Sequence, residues 1–288
     1  MFVLGVLSPE PLFSQQTMAV VAAPRRPDWL PDREEEVPVV ESEPNCDVGE
    51  VLRNSGDRIQ EFVSNVERFA ARETLLQETI NKTGKVSRTE VQIYDYLVSI
   101  NEIRPGLLSV EEFLTGRVAD DSGGITGMIT KGLPALVLIF HPKYSMDFAM
   151  TCEGLANLHG QPAWQIRFRQ KADKPNRIRS YRLGLNGPTY LAPLEGRAWF
   201  SSDNYQILKL NADLIGPIPE IELTVDHTAV EYGPVHFSHG DDMWLPKTAE
   251  LYSDLKHKRI HQLMNFNQYQ LFAVDDSQKI SVPKLPAE

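Results

Sequence analysis

Between Pro162 and Phe237, short alternations of apolar and polar residues follow one another with only turn residues between them. Trp164, Ile166 and Phe168 alternate with Gln165, Arg167 and Arg169, the period of two expected of a strand with one face buried. Asp173, Pro175 and Asn176 then supply turn chemistry. Ala198 and Phe200 alternate with Arg197 and Trp199. After Ser201 to Asn204, the residues Leu208, Leu210, Ala212 and Leu214 fall on one face, which predicts a β-hairpin. Beyond the break at Gly216 to Pro219, the residues Ile221, Leu223 and Val225 alternate with Glu222, Thr224 and Asp226, and Gly233-Pro234 ends the run. Connections this short cannot carry a parallel crossover, so the sheet is predicted to be antiparallel.

A different period precedes the sheet. Val48, Val51, Leu52, Ile59, Phe62, Val63, Val66 and Phe69 recur at three- and four-residue spacing behind Asp47, which predicts a capped amphipathic helix over 47–69. Residues 70–80 and 86–100 read as a hairpin around a polar loop with Gly84, and Leu107 to Leu114 as a weaker strand. The glycine-rich stretch 116–128 lacks the Lys-Ser/Thr frame of a phosphate loop and reads as a plain loop. Leu133 to Phe140 is the most apolar run; a buried strand and a short helix both fit it, and Pro134 with His141-Pro142 favours the helix, a plug. Strands are predicted again over 144–155, 243–252, 258–266 and 269–274. Together these elements give an α+β fold class, mainly β: a curved antiparallel sheet with one N-terminal helix and a short apolar helix.

Composition bounds the rest. A net charge of −10 and a pI near 5.3 argue against attraction to nucleic acid phosphates. No apolar run reaches the roughly 18 residues of a membrane-spanning helix. Residues 1–22 read either as the remnant of a signal peptide or as a disordered apolar tail, and 23–45, rich in proline and acids, as a disordered linker. One domain is expected over 46–282, with a tail at 283–288. Cys46 and Cys152 are the only cysteines, and either a disulfide or two buried thiols fits them.

Chemistry-bearing motifs are sparse. His236 and His239 precede Asp241 and Asp242, and His257 and His261 are four apart, but the second pair lacks the metalloprotease glutamate and lies among Lys256, Lys258 and Arg259. Exposed or sheet-edge histidines are the expectation, with no metal. Glu195, Asp203, Asp213, Asp226 and Glu231 include possible cross-strand carboxylate pairs, for which a solvated acidic face is the plainer reading. No nucleophile elbow, P-loop or dinucleotide fingerprint occurs, so neither an enzyme nor a cofactor is expected.

The layout of helix, consecutive antiparallel strands and apolar plug resembles the LolA/LolB class of outer-membrane lipoprotein carriers. The stretches FHPKYSMDFAMTCEGL, PAWQIRF, GRAWFSSDNYQILKLNADLIGPIP and YGPVHF with MWLPKTAELY also look similar to secreted bacterial proteins of that fold. The resemblance covers roughly 47–282. It implies an incomplete barrel around a hydrophobic cavity that shelters lipid or the acyl chains of an acylated protein, without catalysis, in a periplasmic or secreted monomer that contacts envelope membranes transiently. Trp164, Ile166, Phe168, Leu208, Leu210, Leu214, Ile221, Leu223 and Val225 are the cavity candidates, and Leu136, Ile139 and Phe140 the lid candidates. The carriers' cavity arginine has no assigned counterpart among Arg167, Arg169, Arg179, Arg182 and Arg197. The rival reading is a structural or interaction protein of the envelope whose half-barrel is filled by its own side chains, and a hydrolase comes third.

Overall fold

The helix α1 (Val48–Val66) begins where its cap predicts: Asp47 Oδ1 accepts the backbone N–H of Gly49 at 2.8 Å and of Glu50 at 3.2 Å. In the computed structural model, residues 29–31, 37–41, 46–66, 69–104, 107–115, 128–130, 133–174, 177–183, 187–237 and 242–271 are described. The signal-peptide reading of 1–22, the loop at 116–127 and the tail at 283–288 lie outside them.

The strands, in chain order, are β1 (Phe69–Ile80), β2 (Val86–Arg104), β3 (Leu107–Thr115), β4 (Met128–Thr130), β5 (Phe148–Leu158), β6 (Gln161–Gln170), β7 (Ser180–Leu183), β8 (Thr189–Leu191), β9 (Leu194–Ser201), β10 (Ile207–Leu214), β11 (Leu223–Val235), β12 (Met243–Leu255) and β13 (Lys258–Leu271). Ten of them form one antiparallel sheet in the order β3-β2-β1-β13-β12-β11-β10-β9-β6-β5. The sheet is curved and does not close, with β3 and β5 as its edges. A small sheet of β4, β7 and β8 lies apart; the alternation along the chain predicts no strand at β7 or β8.

Short connections dictate the antiparallel order. Lys256 and His257 both adopt positive φ, 50° and 60°, forming the two-residue turn whose twist matches a hairpin. β13 runs on through Gln268, at φ 50°, so the two closing strands expected over 258–274 are a single bent one. Gly233-Pro234 does not end its run either; β11 continues to Val235.

Two β-bulges correct the predicted faces, because one extra residue transfers every later side chain to the other side. The register between β9 and β10 slips between Ile207 and Lys209. Leu208 therefore packs on the convex side with Trp199 and Ala163, while Leu210 joins the main core on the concave side. Between β11 and β12 the slip falls between Leu223 and Val225. Leu223 and Ile221 sit in a small satellite core with Leu255, and Asp226, expected from the alternation to face solvent, turns inward and is buried.

α1 and the plug cover the concave face. Val51, Ile59 and Phe62 of α1 share one core with Ile166, Phe168, Leu210, Val230 and Met264 of the sheet. The run Leu133–Phe140 is a 3-10 helix belonging to neither sheet, and Leu136, Ile139 and Phe140 are at most 1 % exposed. Gly56 lets α1 sit close to the chain just beyond the plug, since a Cβ there would lie 3.1 Å from Pro142.

Two pieces of the segment expected to be a disordered linker are in place. Val40 bridges to Ala156 and Glu41 N–H donates to Leu155 O at 2.8 Å, giving the β5 edge a partner. Gly154, at φ +138°, permits this approach, because a Cβ would meet that of Val40 at 3.1 Å. Trp29 is buried beside Tyr252, ring centroids 6.2 Å apart, with the Arg259 guanidinium 5.8 Å from its ring.

Candidate functional site

The concave face has an apolar end and a polar end. At the apolar end, Phe140 meets Phe168 and Phe200 edge-on at 5.6 and 4.9 Å, and Phe148 meets Phe168 at 5.9 Å. Ile166, Ala198 and Leu210 complete the surface, fully buried. Of the cavity candidates, Trp164, Ile166, Phe168 and Leu210 belong to this surface or pack against it, with Trp164 only partly buried. Leu214, Ile221 and Leu223 lie in the satellite core beneath β7 and β8, Val225 lies on the convex side opposite Asp254, and Leu208 is convex as well.

Cys46 and Cys152 are joined in a disulfide, with Cα atoms 6.1 Å apart. It fastens the start of α1 to the concave side of β5. Closing a loop of 106 residues contributes about 4 to 5 kcal/mol in the chain-entropy picture.

At the polar end a cavity of about 140 Å³ opens between Glu73, Tyr96, Glu112, Leu133, Arg179 and Gln262, with Leu114, Leu251 and Met264 as aliphatic walls. Tyr96 Oη donates to Glu112 Oε1 at 2.7 Å. Burial raises the Glu112 carboxyl, while the Tyr96 hydroxyl, the Arg179 charge and the backbone N–H of Leu133 hold it down. Glu73 is 4 % exposed, and burial, with Glu112 adding to it, pushes its carboxyl up to about 7. A smaller cavity of about 50 Å³ lies by Arg58, Phe62 and Trp244, and a groove of about 370 Å³ by Arg72, Asp95 and Gln268.

Arg179 is the one of the five candidate arginines turned into the interior. Its Nε and Nη2 donate to the two Asp226 oxygens at 3.0 and 3.1 Å, and Nη2 also donates to Thr228 Oγ1 at 2.8 Å. The Tyr181 hydroxyl donates to Asp226 as well. Burial opposes the guanidinium charge, and Asp226, with Tyr181 and Glu112 adding to it, more than offsets that. Arg169 and Arg197 instead pair with Glu195 and Glu153, and Arg182 donates to Thr189. Arg167 is exposed.

The remaining polar candidates are dispersed. Asp213 bonds His227 at 2.6 Å, both buried, and Glu231 lies 3.8 Å from Lys209. In an exposed turn the Asp203 backbone N–H donates to Ser201 Oγ at 3.3 Å. On the convex face, His261 sits between Glu78 and Glu250 at 2.8 and 2.7 Å and stacks on Tyr252. Its hydrogen bond to Glu250, with that to Glu78, raises its pKa against the effect of burial. His257 occupies the β12–β13 turn, so the helical spacing of a zinc pair is not realised. His236 pairs with Asp242 at 2.8 Å, while His239 and Asp241 lie outside the described residues. No group of three or more metal-ligating side chains occurs among the described residues, and none of their helices is long and apolar enough to cross a membrane.

Sequence reasoning overlooked Glu73, Glu112 and the Arg179–Asp226 pair. A signal for the two glutamates exists: Glu73 shares its parity with Phe69, Ala71 and Leu75, and Glu112 with Leu108, Val110 and Leu114, so each is an acid on a strand's apolar face. No such signal exists for Arg179 with Asp226, which come together across 47 residues.

No protein-family model and no curated protein matches the chain. Among solved structures it is similar to a LolA superfamily protein from Nitrosomonas europaea, with 8% identity over 80% of this chain and 96% of that one and a TM-score of 0.37. A DUF1329 family protein from Desulfovibrio piger shows 8% identity over 78% and 94%, TM-score 0.43. An outer membrane lipoprotein-sorting protein domain from Vibrio parahaemolyticus shows 8% identity over 78% and 93%, TM-score 0.42. In this chain, a helix and a plug lie on the concave face of an open antiparallel sheet.

Proposed function

We propose that this protein is a non-enzymatic binder or carrier of lipid or of the acyl chains of an acylated protein, and that its own plug occupies the acyl site when no ligand is bound. One observation carries the reading: the most apolar segment of the chain, Leu133–Phe140, lies on the concave face as a separate element outside both sheets, held by side-chain packing against Phe168, Phe200 and Leu210. A half-barrel filled by a separate element can exchange that element for hydrocarbon of similar volume at little net cost, since about 0.8 kcal/mol per buried methylene is recovered. The disulfide fits an oxidising compartment, in keeping with a periplasmic or secreted protein.

The tight burial of the plug favours a second reading, an interaction protein of the envelope with a permanently filled half-barrel. Native mass spectrometry of the protein purified from a Gram-negative periplasm separates the two. The carrier reading expects co-purifying lipid or acylated protein, displaceable binding of a fluorescent fatty acid, and loss of both in Leu210→Glu, which places a charge where hydrocarbon would sit. A lipid-free protein that binds no fatty acid leaves the filled-barrel reading.

A further inference from the structure

Glu73 is out of place on the concave face. It sits on β1 between Ala71 and Leu75, it is 4 % exposed, and no described residue gives it a hydrogen bond or an ion pair. Its oxygens are not sealed in the core, and the space they reach is a cavity. Its carboxyl faces the cavity of about 140 Å³, many times the roughly 15 Å³ that holds one water. Glu112 faces the same space from β3.

The charges around this space do not balance. From β2 it meets Tyr96, and from β13 the neutral Gln262; Tyr94 of β2 lies near Glu73, and Asp226 of β11 holds the lining Arg179. Arg179, the cation in the lining, already spans Asp226 and Thr228. The Arg179 charge also acts on Glu112, so Glu73 is the carboxyl of this cavity on which no cation acts. Hydrogen-bond acceptors predominate: the carboxyl oxygens of Glu73 and Glu112, the latter already accepting from Tyr96, and the amide oxygen of Gln262, whose nitrogen donates to Gln77. The remaining walls, Leu114, Leu133, Leu251 and Met264, are aliphatic, and Leu114 is 50 % exposed.

We propose that this cavity is a binding subsite for the ammonium group of an amphiphilic amine, with the ammonium between Glu73 and Glu112 and the adjoining carbons along Leu114, Leu133 and Leu251. An ammonium brings three donors and one positive charge, matching both the acceptors and the uncompensated Glu73. A quaternary ammonium brings the charge without the donors and satisfies the site less well. Because burial raises the Glu73 carboxyl to about 7, ammonium binding displaces a proton and strengthens as the pH rises through that value. Glu112 also accepts the backbone N–H at the start of the plug, Leu133, so an ammonium that draws on Glu112 loosens the plug's first contact. That coupling rests on the carrier reading; the ammonium subsite does not.

The test is calorimetric titration of the full chain at pH 8 with dodecylamine and dodecanol below their aggregation concentrations, and with ethanolamine. Dodecylamine is expected to bind at least tenfold tighter than dodecanol, ethanolamine to bind measurably, and both amines to weaken at pH 5.5. Glu73→Gln, with unchanged far-UV circular dichroism, should bring dodecylamine to the affinity of dodecanol, and Glu73→Asp should retain part of the preference. Equal binding of amine and alcohol overturns the ammonium subsite and leaves the acyl-chain reading standing. Binding of ethanolamine, abolished by Glu73→Gln, with neither long chain bound removes the acyl-chain reading and keeps the subsite. Amine binding unchanged in Glu73→Gln, or no amine binding at all, overturns the subsite.

Discussion

Across β5, β6, β9 and β10 both faces of the sheet are occupied. Phe140 fills the concave side between Phe168 and Phe200, and on the convex side Trp199, Ala163 and Leu208 pack together beneath Val40. Across β1, β2 and β13 the concave side carries Glu73 beside a cavity, and on the convex side of β2 Val91 and Ile93 are exposed at 62 % and 57 %. Both ends share one sheet, one register system and one helix across them. The difference lies in what covers each: a segment with eight apolar residues at one end, and at the other acids that burial keeps from being solvated. An apolar face can be satisfied by any hydrocarbon of suitable volume, whereas a buried acid needs a specific partner. The first end is therefore suited to exchange and the second to selection.

The largest expected effect breaks the filled end. Phe140→Ala removes a fully buried ring that meets two other phenylalanines and should destabilise the protein by about 4 kcal/mol in chemical denaturation, within the range for such truncations. If the plug competes with ligand, the same variant should bind a fluorescent fatty acid more tightly than the wild type despite its lower stability. Tighter binding would be absent in a permanently filled barrel.

Next in size is Arg179→Met, which strands the buried Asp226 carboxylate and should cost about 3 kcal/mol. Adding Asp226→Leu to it should recover most of that loss, since the penalty comes from an unpaired buried charge and not from lost volume. Failure of the double variant to recover would mean that the pair organises β7 and β11 in a way that packing cannot replace.

The polar end can be sharpened by pH. The folded-state pKa of Glu73, about 7, lies above its value in the unfolded chain, so the folded protein retains a proton that the unfolded chain releases from about pH 4.5 upward. The associated stability is fully present below pH 4.5 and is lost as the pH rises through 7. At about 1.4 kcal/mol for each pH unit in that window, the loss is at most about 3.5 kcal/mol. Glu73→Gln should flatten that portion of the stability profile, and the difference between the two proteins, followed by urea denaturation from pH 4.5 to 8, isolates this group from Glu112 and His261.

The smallest effect concerns the edge. Val40→Ala trims the partly buried side chain that covers Ala156 and should cost about 1 kcal/mol, with faster amide exchange in β5 than in β6 as the more sensitive readout. An unchanged exchange rate at Leu155 and Ala156 would show that the bridge contributes no protection.

Much of this molecule was legible in its residues. The period of two in PAWQIRF and GRAWF, the three- and four-residue spacing from Val48 to Val66 behind Asp47, and the short polar connections sufficed for an antiparallel sheet with one helix, because these patterns depend only on local geometry and on which side chains avoid water. The faces of Leu208 and Val225 were not legible, since a bulge inserts a residue without any mark in the alternation and is decided by how two strands align across the sheet. Nor was the fate of the segment before Cys46. Its composition opposes independent folding, yet Trp29 and Val40 gain partners that exist only once β12, β13 and β5 are assembled. The polar cavity belongs to the same class. Glu73 can be recognised in sequence as an acid on an apolar face, but its lack of a partner, the engagement of Arg179 with Asp226, and the space left between them arise from strands far apart in the chain. Only tertiary packing fixes those distances, and with them the chemistry the site can perform.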